Sequence, residues 1–148
     1  LATATSRVRM AGVTEALKEA GIHMDPRLTV APESWHMSAA ATAMEELIRR
    51  KLPFDAVVAF TDSLALGALS ALYAHGLRVP DDVMVTGFDN VELARFTGPP
   101  LTTVDLGLRG IADSAVAVLI ARIEGNADKP RAFMRPFSIV ERGSTDRS

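Results

Sequence analysis

The segment FDAVVAFTDSLALGALSALYAHGLRVPDDVMVTGFD, residues 54–89, reads as strand, helix, strand. Ala56 to Ala59 is a short apolar run of the kind found in a strand buried on both faces. Thr61 and Asp62 are cap-type residues ahead of Leu64 to His75, whose apolar positions recur at helical spacing. Gly76 stops that helix, and Pro80 opens the next connection. Val83 to Thr86 is a second apolar run, closed by Gly87. Two strands joined by one helix should be parallel with a right-handed crossover. Thr61 and Asp89 then follow the carboxyl ends of neighbouring parallel strands, the edge where open α/β sheets take small ligands.

Upstream, Thr5 or Ser6 can cap a first helix that runs to about Ala20 and ends at Gly21. Met10, Val13, Leu17 and Ala20 form its apolar stripe. Leu28 to Val30 reads as a short strand after the Asp25-Pro26 turn. Ala31 to His36 is a loop carrying the sole tryptophan, Trp35. Ser38 to Arg50 is a second helix, with Ala40, Met44, Leu47 and Ile48 on one side and Glu45, Glu46, Arg49 and Arg50 opposite. Downstream, residues 90–100 are irregular and Thr102 to Asp105 is extended. A long helix, Leu108 to Glu124, follows. Ile111, Ala115 and Leu119 line one of its faces and Val116, Ile120 and Ile123 another, so it seeks burial on both sides. Ala132 to Val140 alternates loosely through Phe133, Arg135, Phe137 and Ile139, as a half-buried or edge strand. The tail from Glu141 is polar.

The alternation predicts an α/β fold with a parallel, doubly wound sheet. The strand that normally precedes the first helix is not seen, and the chain does not begin with Met. Both suggest the later part of something longer. The 148 residues fit about one domain, and an apolar fraction of 48% supports a true core. A net charge of −2 gives no footprint for nucleic acid. The absence of cysteine excludes disulfides, thiolate metal sites and a cysteine nucleophile, and suits a reducing compartment. No apolar run approaches the roughly 18 residues of a membrane span, and no secretion signal is visible.

Topology gathers polar groups from distant parts of the chain at one rim. Arg9 lies in the first turn of the first helix, Trp35 just before the second, Thr61 and Asp62 just before the third, and Asp89 after the last central strand. A cation, a carboxylate, a hydroxyl and a flat aromatic suit a neutral polyol or sugar, held by bidentate bonds and ring contact. Free N–H groups at helix starts leave an anionic ligand open. Asp62 reads as a cap, and His23, His36 and His75 as surface or packing residues without ligand spacing. No nucleophile elbow, phosphate loop or acid–base carboxylate pair is present, so no catalytic residue, metal or cofactor is expected.

These residues resemble the effector-binding half of LacI/GalR-type transcriptional regulators. The matching stretches are Ser6–Gly12, Phe54–Asp62 with Ala65-Leu66-Gly67, Gly76–Val83, Gly87-Phe88-Asp89, Pro100–Val104 and Glu141–Thr145. The resemblance implies a periplasmic-binding-protein-like fold of two α/β lobes with an effector in the cleft, in a cytoplasmic protein. Residues 1–103 correspond to the second lobe, 104–130 to a helix crossing toward the first, and 131–148 to a return strand and tail. Operator DNA would be met only through a helix-turn-helix outside this chain. The effector-clamping arginine and aspartate of the family fall on Arg9 and Asp89, and a lining aromatic on Trp35. Thr61 stands where the family usually has Asn, and Leu108 where it often has a large aromatic; both are departures in the cleft. Family homodimers imply an interface through Leu66, Leu69, Tyr73 and Phe96. The competing reading is a periplasmic sugar-binding protein, which shares the two-lobe plan. The Glu141–Thr145 ending and the apolar dimer helix favour the regulator.

Overall fold

The computed structural model describes residues 3–125 and 136–147. Its elements run α1 (Ala4–Glu19), α2 (Met37–Arg49), β1 (Ala56–Val58), α3 (Asp62–Ala74), β2 (Met84–Phe88), β3 (Thr102–Asp105), α4 (Leu108–Ile123) and β4 (Ser138–Val140). The strands form one sheet in the order β1-β2-β3-β4. β1, β2 and β3 are mutually parallel, with Val57 opposite Val85 and Gly87 opposite Thr103. β4 closes the sheet antiparallel to β3, with Ile139 opposite Val104. The expected edge strand is thus found over its last three residues; Phe133 and Arg135 lie outside the described residues.

The core lies between one face of this sheet and the α2–α3 pair. Met44 and Leu47 of α2 meet Ala65, Ala68, Leu69 and Leu72 of α3, above Val83, Val85 and Leu101. Gly67 allows the two helices their close approach, since a Cβ there would sit 2.1 Å from the Met37 carbonyl oxygen. Helix α3 starts where the sequence expects. Thr61 is its N-cap, and its Oγ1 accepts the Leu64 N–H at 3.1 Å. Gly76, at φ +73°, ends the following turn.

Three expectations need correction. Leu28–Val30 is not a strand. Asp25 caps a 3-10 turn at Pro26–Leu28, its carboxylate accepting the Arg27 N–H at 2.9 Å. The chain beyond is extended at Thr29 but unpaired in the sheet, while Leu28 and Val30 still pack on the core. β1 is not buried on both faces. It is the sheet's edge, and Val58 is 53% exposed on the face away from α3. The first helix is capped by Thr3, whose Oγ1 accepts the Ser6 N–H at 3.1 Å, rather than by Thr5 or Ser6. Arg9 therefore falls in the second turn. The tail, polar as read, docks on the sheet through a 3-10 turn at Gly143–Thr145. The buried Ser144 hydroxyl accepts the Thr102 N–H at 2.8 Å and donates to the Val85 carbonyl at 2.6 Å.

Helix α4 has the apolar character read from its sequence, and none of its described residues is buried. Ile111, Val116, Leu119 and Ile120 are exposed, and Ile123 is 77% exposed. Helix α1 also has no buried residue.

Candidate functional site

Arg9, Trp35, Thr61 and Asp89 come together around a hollow of about 230 Å³, joined by Thr3 and Thr5. The hollow lies at the carboxyl-terminal rim of the parallel strands, because Asp89 directly follows β2 and Thr61 stands between β1 and α3. Leu108 is not among the lining residues; it is 52% exposed at the start of α4.

Arg9 is fixed on three sides. Its Nη1 donates to the Phe60 carbonyl. Its guanidinium carbon sits 3.5 Å from the centroid of the Phe88 ring, in cation–π contact. Its Nη2 lies 3.8 Å from Asp89 Oδ1, a charge pair too long to be a hydrogen bond. The side chains of Arg9 and Asp89 are 18% and 30% exposed. Burial lowers the Arg9 pKa, and the Asp89 charge opposes that shift. Burial raises the Asp89 pKa, Arg9 pulls it back, and the charge on Asp62 adds to the rise. For Asp89, burial outweighs the cation, consistent with the 3.8 Å gap.

The loop that presents Asp89 has an unusual backbone. Asp89 has φ +116° and Asn90 φ +52°, both on the side that L-residues rarely occupy. The three consecutive N–H groups that follow β2 are all taken. Asp89 donates to the Val104 carbonyl at 2.9 Å. Asn90 donates to Thr103 Oγ1 at 3.3 Å, and Val91 to Asp62 Oδ2 at 2.8 Å.

Asp62 is not the cap its sequence position suggested: Thr61 holds that place, and Asp62 is the first residue of α3. It is 0% exposed, and its second oxygen accepts the Thr103 hydroxyl at 2.5 Å. Gly87 makes room for it: a Cβ at that position would lie 2.2 Å from Asp62 Oδ1. Asn90 extends the network. Its Oδ1 accepts from Arg142 Nη2 at 2.6 Å, and its Nδ2 donates to Asp105 Oδ2 at 3.0 Å. Arg142 Nη1 also holds the Leu101 carbonyl at 2.7 Å. Sequence reasoning gave neither Asn90 nor Arg142 a role, because the contact between them spans 52 positions.

The residues expected at a dimer surface do not share one environment. Tyr73 is exposed, and its hydroxyl donates to the Gly98 carbonyl at 2.6 Å. Phe96 is 74% exposed. Leu66 is half-buried against the core. Leu69 is buried in the core and does not reach the surface, because its position on α3 faces the α2–sheet interior. It is removed from the interface set. Among the described residues, no three His, Asp or Glu side chains could jointly hold a metal ion, and no helix is long and apolar enough to cross a membrane.

A mostly parallel open sheet with a polar hollow at its carboxyl edge defines the class: an α/β ligand-binding lobe. The model of the periplasmic binding protein-like domain matches residues 2–145. The HTH-type transcriptional repressor PurR of Vibrio atlanticus (strain LGP32) is 35% identical over 136 residues, covering 92% of this chain and 40% of the relative. A LacI-type transcription regulator from Bifidobacterium animalis subsp. lactis superposes with a TM-score of 0.90 at 35% identity, over 97% of this chain and 51% of that one. A LacI family transcriptional regulator from Arthrobacter sp. FB24, solved in complex with lactose, gives a TM-score of 0.79 at 31% identity, over 94% of this chain and 50% of that one. The chain belongs to the periplasmic binding protein-like domain family, in the form carried by LacI-type transcriptional regulators. It spans about two fifths of the length of the curated relative.

Proposed function

We propose that this chain is the effector-sensing part of a LacI-type regulator and binds a small neutral polyol or sugar in the hollow beside Arg9. The observation that carries the reading is the Arg9–Asp89 pair. A preorganised cation faces a carboxylate that accepts no hydrogen bond from any described residue, with a hydroxyl and an indole beside them. A ligand with adjacent hydroxyls can donate to Asp89 and accept from Arg9, closing the 3.8 Å gap with two charge-assisted bonds. Trp35 supplies a flat apolar wall for a ring face. The Arthrobacter neighbour, solved with lactose, supports a sugar-sized ligand.

In this reading α4 leads to a further lobe, which covers its apolar surface and completes the cleft. Effector occupancy favours one lobe arrangement, and the difference reaches operator DNA through a helix-turn-helix elsewhere in the whole protein. Such coupling is typically worth about 1–3 kcal/mol. The protein works in the cytoplasm as a homodimer, through the face bearing Tyr73 and Phe96, without catalytic chemistry or a cofactor. The test is a thermal-shift screen of sugars and nucleosides on the full-length protein, followed by calorimetry on Arg9→Ala. Loss of the charge-assisted bond should weaken binding by about 2 kcal/mol or more. Unchanged affinity in the variant sinks the assignment of this hollow.

A further inference from the structure

We propose that Asn90 is a positioning residue that holds Asp89 toward Arg9 by tying the loop after β2 to both β3 and the segment after β4. The proposal rests on the reading of Arg9 and Asp89 as the effector pair.

Asp89, at φ +116°, occupies a backbone region that L-residues hold only where the surroundings impose it. Its own carboxylate cannot impose it, since the contact with Arg9 is long and the side chain accepts no other described bond. The constraint comes from the next residue. Asn90 sits at φ +52°, the left-handed region that Asn tolerates better than most residues. Its amide is used at both ends, by Arg142 at 2.6 Å and Asp105 at 3.0 Å. Arg142 follows β4, and Asp105 is the last residue of β3, just ahead of α4. The amide thus spans two chain segments that β-pairing brings together, with Asp105 opposite Ser138. A shift of either segment must move the Asn90 side chain or break one of its bonds. Asp89 is one peptide away and has no slack, because its N–H is already given to Val104. The direction of the effector carboxylate is in this way made to depend on the β3–β4 exit. It also follows that occupancy of Asp89 reports to the same place.

The test needs no identified effector. The carboxyl carbon of Asp89 is followed by NMR in the full-length protein labelled at aspartate, and assigned by its loss in Asp89→Asn. Its titration midpoint is compared with and without Arg9→Ala, in wild-type, Asn90→Gly and Asn90→Asp backgrounds. Glycine keeps the backbone free to adopt φ +52° but removes both side-chain bonds. Aspartate keeps the acceptor for Arg142 and sets a like charge against Asp105. In the wild-type background, loss of Arg9 should raise the midpoint, because the cation that holds it down is gone. In Asn90→Gly the same change should fall below a quarter of the wild-type rise, with Asn90→Asp in between. An equal rise in all three backgrounds overturns the proposal while leaving the Arg9–Asp89 pair intact. No rise in the wild-type background shows instead that the pair does not exist, and the proposal falls with it. If Asn90→Gly melts before it can be titrated, the Asn90→Asp comparison decides alone.

Discussion

Gly87→Ala should be among the most damaging single-methyl changes in this chain. The position has an ordinary strand backbone, so glycine is needed there for space and not for conformation. An added Cβ would lie 2.2 Å from Asp62 Oδ1, 3.2 Å from its Cγ and 3.0 Å from Leu101 Cδ2. A relaxed carbon–oxygen contact needs roughly 3.2 Å or more, so the carboxylate must retreat by about 1 Å. Its bond from Thr103 is only 2.5 Å long and cannot survive that move intact. Losing a bond to a charged group costs about 1.5–3 kcal/mol, and forcing a methyl into a packed core about 1–3 kcal/mol. Stiffening of the unfolded chain returns about 0.4–1 kcal/mol. The net loss is about 3 kcal/mol, or roughly 6–12 °C in Tm for a domain of this size. Urea unfolding read by Trp35 fluorescence and circular dichroism measures it. The cause is isolated by a double-mutant cycle with Asp62→Ala. With the carboxylate gone, the added methyl should cost at least about 2 kcal/mol less. A loss under about 0.5 kcal/mol, or the same loss with Asp62 absent, refutes the argument.

Ser144→Ala leaves the Thr102 N–H and the Val85 carbonyl without their buried partner, and should cost about 2–4 kcal/mol by chemical denaturation. Asp89→Asn should leave the ligand-free Tm unchanged or higher. The folded environment raises this carboxyl's pKa, so ionisation at neutral pH works against the fold; a clear fall in Tm would contradict that sign. Asp82 has the opposite sign. Hydrogen bonds from Arg78 hold its pKa down to about 2, so its stabilising effect is present above about pH 4 and lost as pH falls through about 2. Melts of wild type and Asp82→Asn between pH 2 and pH 6 should converge at the acid end. Added salt should narrow the difference at neutral pH, because the pair is exposed.

The parallel β1-α3-β2 unit was legible because its signals are local: an apolar run, a cap, a helical period and a terminating glycine fall within 36 residues. The gathering of Arg9, Trp35, Thr61 and Asp89 was legible for a different reason. In a parallel sheet with return helices, topology alone sends strand ends and helix starts to one rim. Where the reading failed, the deciding partner was distant or absent. Leu28–Val30 has the composition of a strand, but composition cannot say whether a neighbour is there to pair with. Asp62 looked like a cap because capping needs only adjacent residues. Its actual acceptors' partners, Thr103 and Val91, lie 41 and 29 positions away. Leu69 was assigned to an outer surface on family likeness, yet on α3 the apolar stripe is wide and its period does not say which part faces α2.

Thr61 leaves one more consequence for recognition. Its oxygen already receives the Leu64 N–H at the head of α3, so toward the hollow the hydroxyl is best placed to give a proton rather than take one. An asparagine in its place could present both a carbonyl and an amide. The vocabulary of the pocket is therefore lopsided. Arg9 can only give, Thr61 is better placed to give than to take, and Asp89 receives. On the proposed reading a guest matches that asymmetry, with an accepting oxygen turned to Arg9 and a hydroxyl proton turned to Asp89.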